Sequence, residues 1–287
     1  MIGIKEFNKK ITSLKNTRKM TKTMKMVSAA KFKRAFKMQA NAQVYAERLS
    51  DLMGRLSSSS SAQHPLMKVK KVINSALIVV FTSDKGLCGG FNNNVLRMLR
   101  LWNHENHYKY TKVDYSFCGR RGNVSLRRSV TVKKVYENIT LKPNFHDART
   151  LAGELAQYFL KGDYDEVFLA YNHFKGPTIQ EPMIEKVLPL NTHVVKTKSK
   201  ISADYVYEPE QEELFSFLVP KYLNFKIYYT LLENAAGEHG ARMAAMDKAS
   251  QNTADLIDKY TLLRNRARQA SITNELIEII SGAEALK

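Results

Sequence analysis

All seven prolines of this 287-residue chain, at positions 65, 143, 177, 182, 189, 209 and 220, lie in its middle, leaving residues 1–64 and 221–287 without any. A proline inside a helix removes a backbone hydrogen bond and clashes with the preceding turn, at a cost of about 3 kcal/mol. The two proline-free ends are therefore where long unbroken helices can run. From Ile4 to about Leu56 the chain is rich in Lys, Met, Ala, Gln and Leu, all good helix formers, with no turn cluster before Ser57–Ser61. That stretch predicts one helix of roughly 80 Å at 1.5 Å per residue.

The other end carries a clearer period. Tyr222, Phe225, Tyr229, Leu232 and Ala236 advance by threes and fours, Met243, Met246, Ile257, Tyr260 and Ala267 continue the register, and Ile272, Leu276, Ile279, Ala283 and Leu286 follow in a shifted one. This is the pattern of a coiled-coil seam that drifts around its partner. The C-terminal helix would run roughly 100 Å. Neither helix can be buried wholly in a domain of this size. The expectation is an antiparallel pair, with the longer helix protruding and its tip meeting an external partner.

The proline-punctuated centre reads as a small α/β sheet inserted between the helices. Val72–Phe81 is a near-continuous apolar run, suited to a strand buried on both faces. A helix is predicted from Asn92 to about Asn103, strands at Val113–Cys118 and Val130–Val135, a helix over His146–Leu160, a strand at Glu166–Tyr171 and an edge strand at Glu181–Leu190. The fold class is α/β with long helices: an antiparallel coiled coil of the N- and C-terminal helices (1–60 and 210–287) plus an inserted small Rossmann-like α/β domain (70–195).

The formal charge of +18 calls for an acidic partner. Residues 1–57 hold fourteen Lys and Arg against Glu6, Glu47 and Asp51, whereas the final 68 residues are nearly balanced, nine basic to eight acidic. The positive field is thus a band on the first helix, with Lys15, Arg18, Lys19, Lys22, Lys25, Lys31, Lys33 and Arg34 at its centre. Met20, Met24, Met26 and Met38 lie among them, as residues of helix packing or of a sliding contact surface. A basic coiled coil that binds nucleic acid is the alternative, although the helix lacks the Asn/Arg and aromatic pattern of base-reading modules.

No catalytic, cofactor or metal site is expected. The glycine turn after Phe81 holds Gly86, Gly89 and Gly90, but neither the G-x-x-x-x-G-K-[ST] nor the G-x-G-x-x-G spacing that phosphate loops need. His104-Glu105-Asn106-His107 lacks the i, i+4 histidine spacing of a helical zinc site. Cys88 and Cys118, the only cysteines, suit a reducing compartment and small buried roles. The N-terminus has no apolar signal core, and no apolar run is long enough to cross a membrane.

Three segments together carry a resemblance: Lys15-Asn-Thr-Arg-Lys-Met-Thr-Lys-Thr-Met-Lys-Met-Val-Ser-Ala-Ala-Lys31, the loop Ser83-Asp-Lys-Gly-Leu-Cys-Gly-Gly90, and the C-terminal Ala241–Met246, Ala267–Leu276 and Ser281–Ala283. Over essentially its whole length the chain resembles the gamma subunits of F-type ATP synthases. The resemblance implies a central stalk rotor, itself non-catalytic, that couples ion-driven rotation of a membrane c-ring to ATP synthesis or hydrolysis on the beta subunits. Its implied partners are three alpha and three beta subunits, the epsilon subunit and the c-ring, with no nucleic acid and no cofactor. Its implied location is peripheral, on the cytoplasmic face of the bacterial plasma membrane.

Residue by residue, the resemblance implies beta-subunit contact at Met24, Lys85, Arg242, Arg268, Gln269 and Thr273. It implies contact with the membrane ring at the foot through Tyr205, Tyr207 and Glu208, and a hydrophobic sleeve around the tip near Ile279–Leu286. The paired cysteines of redox-regulated chloroplast members are missing. Gly237 and Gly240 stand where relatives commonly carry Ser and Ala, which predicts a softer segment of helix.

Overall fold

The computed structural model describes residues 4–59, 64–191, 208 and 210–284. Its elements in chain order are α1 (Ile4–Ser59), β1 (Ser75–Phe81), α2 (Phe91–Asn106), β2 (Lys112–Cys118), α3 (Arg120–Leu126), β3 (Thr131–Tyr136), α4 (Phe145–Lys161), β4 (Glu166–Phe174), β5 (Gln180–Leu188) and α5 (Gln211–Glu284). Two compact units share the terminal helices: residues 29–242, and residues 1–28 together with 243–287.

The larger unit is a three-layer α/β/α sandwich. Its sheet has the order β3-β2-β1-β4-β5, parallel except that β5 runs antiparallel to β4. Every residue of β1 from Ala76 to Phe81 is fully buried, as a strand covered on both faces requires. On one face lie Val95, Leu96 and Leu99 of α2 with Leu126 of α3. On the other lie Ala148, Leu151, Ala152, Leu155 and Phe159 of α4, Met53 and Leu56 of α1, and a stripe of α5. Asn144 caps α4 by accepting the Asp147 N–H at 2.8 Å, and Gly162 ends it in the left-handed region at φ 84°.

That stripe is Phe215, Val219, Leu223, Ile227 and Leu231, stepping by four and buried to 1% exposure or less. It is a second apolar face of α5, distinct from the predicted seam. The predicted seam residues Phe225 and Tyr229 face α1: Tyr45 packs on Phe225 at 4.4 Å between ring centroids, and Gln39 donates to the Tyr229 hydroxyl at 2.8 Å. Pairing 39 with 229 and 45 with 225 makes the two helices antiparallel here. Because α5 is sandwiched between α1 and the sheet, both faces are apolar, and the seam read from periodicity is only one of them.

The glycines of α5 have a packing reason. A Cβ on Gly240 would stand 2.5 Å from the Pro177 carbonyl oxygen, in the turn between β4 and β5, and one on Gly237 would stand 3.1 Å from the Phe91 ring. The helix lies against that turn at a distance only a bare backbone allows. Close approach accounts for the residue type at Gly240.

The smaller unit is an antiparallel helix pair made of the start of α1 and the end of α5. Phe7 packs on Tyr260 at 6.3 Å, Lys10 sits over the same ring, and Lys25 pairs with Asp247 at 2.6 Å. Phe7, Ile11 and Met246 are buried, and beyond Ser271 the helix is exposed, with Ile272, Leu276, Ile279 and Ile280 between 49% and 67% accessible.

Candidate functional site

The glycine turn and the α5 helix meet through one arginine. Arg242 is 8% exposed, and its guanidinium donates to the Lys85 carbonyl at 2.9 Å, to the Gly86 carbonyl at 3.2 Å and to Glu238 Oε1 at 2.6 Å. Glu238 is 2% exposed, and burial raises its carboxyl above the ordinary range despite the arginine beside it. His239 Nδ1 lies 3.3 Å from the remaining guanidinium nitrogen. Burial first, then the charges of Arg242 and Lys31, push His239 down to about 4, so near neutral pH its ring is uncharged and can accept there.

The loop is also closed on itself. The Asn92 side chain accepts the Ser83 N–H at 2.9 Å and donates to the Ser83 hydroxyl at 2.8 Å, while that hydroxyl reaches the Lys85 carbonyl at 2.7 Å. Asp84 is held from the neighbouring strand ends by the Thr140 hydroxyl at 2.6 Å and the Arg120 N–H at 3.2 Å. Leu87 adopts φ 63°, a left-handed conformation rare for leucine, and is 62% exposed. Lys85 and Leu87 therefore point outward from a loop whose backbone is gripped from inside. Where a phosphate loop would offer N–H groups to an anion, this one offers carbonyls to a cation. Sequence reasoning missed Leu87; no spacing rule marks an exposed leucine on a strained turn.

The structure brings Lys85 and Arg242 together, one exposed and the other inward. In the helix pair, Arg268, Gln269 and Thr273 are all exposed on α5, with the Thr273 hydroxyl bonded back to the Gln269 carbonyl at 3.0 Å. Met24 is half-buried on α1, whereas Met20 and Met26 are 64% and 58% exposed. Lys15, Arg18, Lys19, Lys22, Lys31, Lys33 and Arg34 are exposed, and of the basic band only Lys25 forms an ion pair among the described residues. Glu208 is exposed; Tyr205 and Tyr207 lie outside the described residues. Cys88 and Cys118 are free and buried, and burial raises both thiols.

Among the described residues no group of His, Cys, Asp and Glu could hold a metal, and no helix is long and apolar enough to cross a membrane. The fold and this loop define a class of protein in which one pair of terminal helices both forms a coiled coil and flanks an α/β domain. The family model for ATP synthase matches residues 3–286. Full-length relatives, with both chains covered completely, include ATP synthase gamma chains of a Geobacter species at 42% identity and of Moorella thermoacetica at 39%. The central stalk and c-ring structure of Tetrahymena thermophila mitochondrial ATP synthase matches 80% of this chain and 99% of its own, at 28% identity and a TM-score of 0.58. A rotor structure of the Euglena gracilis enzyme shares the fold at a TM-score of 0.65 and 19% identity, over 94% of this chain and 98% of its own.

The chain belongs to the gamma-chain family of ATP synthase. It is the central stalk rotor subunit of an enzyme complex of the bacterial F type. The nucleic-acid alternative finds no support among these relatives.

Proposed function

We propose that the chain is a non-catalytic shaft that couples ion-driven rotation of a membrane c-ring to conformational cycling, and so to ATP synthesis or hydrolysis, at sites on beta subunits. Its partners in this reading are three alpha and three beta subunits, an epsilon subunit and the c-ring, and its location is peripheral to the cytoplasmic face of the bacterial plasma membrane. Residues 1–60 and 210–287 form the shaft and 70–195 the foot. The observation that carries the reading is the basic band of α1, whose exposed charges from Lys15 to Arg34 form, apart from Lys25, no ion pair within the described residues. An acidic surface moving past this band meets a contact that differs with angle, and only a contact that differs between states can shift their populations.

Within that reading Met24, Lys85, Arg268, Gln269 and Thr273 meet beta subunits directly. Arg242 acts through the loop that it holds, setting where Lys85 and Leu87 stand. Glu208, with Tyr205 and Tyr207, meets the c-ring. The test is to mix the purified chain with alpha and beta subunits from the same source at physiological salt. One copy per three alpha and three beta, with raised multi-site ATPase activity, is expected. A chain that stays free and binds DNA with a steep salt slope overturns the reading.

A further inference from the structure

At the start of α5 the larger unit has a groove of about 820 Å³ walled by aromatic rings. Tyr45 of α1, Phe145 of α4 and Phe217 of α5 line it, and they remain 54%, 46% and 58% exposed. The rings are held in place: Tyr45 packs on Phe225, and Tyr228 sits edge-on to Phe145 at 5.7 Å. Three large exposed aromatic side chains around one concavity are an unusual exposure of apolar surface for a monomer, and such clusters mark binding sites.

The charges around the groove are all of one sign. Arg149 and Lys221 line it, no Asp or Glu does, and neither cation forms an ion pair among the described residues. The Lys221 ammonium stands over the Phe217 ring at 3.7 Å, which fixes it beside the apolar wall. Pro220 lies inside α5 on the groove wall and has no N–H to give the Ser216 carbonyl one turn before it. Asn224 adds a side-chain amide.

We propose that this groove docks an acidic segment of a partner protein, one apolar or aromatic side chain inserted between the rings and flanking carboxylates on Arg149 and Lys221. A peptide suits the groove because one short segment can carry an apolar side chain for the rings and carboxylates for the two cations on the same wall. The inference does not rest on the rotor reading, since the groove uses neither the basic band nor the gripped loop.

The experiment replaces Phe217 by the photo-crosslinker p-benzoylphenylalanine in the full-length chain, assembled with its native partners. After irradiation, the attached peptide is sequenced by mass spectrometry. A partner segment with at least two carboxylates beside the crosslinked residue is expected. Arg149→Glu with Lys221→Glu should lower the yield roughly tenfold or more, and Lys at the partner's carboxylates should restore it. Thermal unfolding of the double variant controls for folding, and if it is unstable the milder Arg149→Gln with Lys221→Gln takes its place. Attachment to phospholipid, to a second copy of this chain or to a segment without carboxylates, or no attachment at all, overturns the proposal.

Discussion

Arg242 donates to the carbonyl of Lys85 at 2.9 Å across 157 residues of sequence, so the C-terminal helix holds the glycine turn by its backbone. The same guanidinium neutralises Glu238, and neither side chain has water to fall back on.

Replacing Arg242 by Ala leaves Glu238 buried without its counter-charge. Removing one partner of a buried ion pair costs about 3 to 5 kcal/mol. Chemical denaturation should show a loss of this size, and hydrogen exchange should quicken at residues 84–90 first. A loss below about 1 kcal/mol with an unchanged loop would mean that the arginine does not hold it.

Two glycine substitutions should move stability in opposite directions. Gly240→Ala drives a methyl into the Pro177 carbonyl and should destabilise by about 1 to 3 kcal/mol. Gly153→Ala, on the exposed side of α4 with nothing within 4 Å, should gain about 0.5 to 1 kcal/mol from helix propensity. Melting temperatures of the two variants decide this directly.

Burial raises the Glu233 carboxyl to about 7, with Glu185 adding to the effect and Lys226 and the Phe174 N–H opposing it. His173 Nδ1 lies 2.9 Å from Glu233 Oε1. The folded state therefore keeps this proton to higher pH than the unfolded chain, whose value is near 4.5. Its contribution to stability is full below about 4.5 and is lost as pH rises through about 7. Glu233→Gln should accordingly be close to neutral at pH 5 and stabilising by about 3 kcal/mol at pH 8, from 1.36 kcal/mol per pKa unit. Equal effects at both pH values would show that Glu233 does not titrate in this range.

Deleting residues 277–287 removes, among the described residues, the exposed Ile277, Ile279 and Ile280. Thermal stability should change by less than about 0.5 kcal/mol. In reconstituted vesicles the ratio of ion pumping to ATP hydrolysis should fall severalfold. Unchanged coupling would leave the exposed Ile277, Ile279 and Ile280 without a mechanical role.

Most strands and helices of the α/β domain were legible from an apolar run or a single period. The run Val72–Phe81 suited a strand covered on both faces, and β1 is that strand from Ser75 onward. The helix α3 escaped notice: Arg120-Arg-Gly-Asn-Val-Ser-Leu126 is too short to show a period and has glycine within it. The second face of α5 escaped for the opposite reason, since a helix packed on two sides shows apolar residues at both registers. The site was less legible than the fold. Spacing excluded a phosphate loop, but nothing in a string of residues shows that Arg242 turns inward while Lys85 turns out. That depends on Gly237 and Gly240 letting α5 lie against the β4–β5 turn.

Both margins of the sheet are closed to growth. β3 carries adjacent lysines, Lys133 over the Tyr158 ring and Lys134 joined to Glu154, and β5 has Pro182 near its start. Charge at one border and a missing N–H at the other prevent a further strand from adding. In the proposed rotor reading the chain works as a single copy, and sheet borders that refuse another strand suit a part that does not assemble with itself.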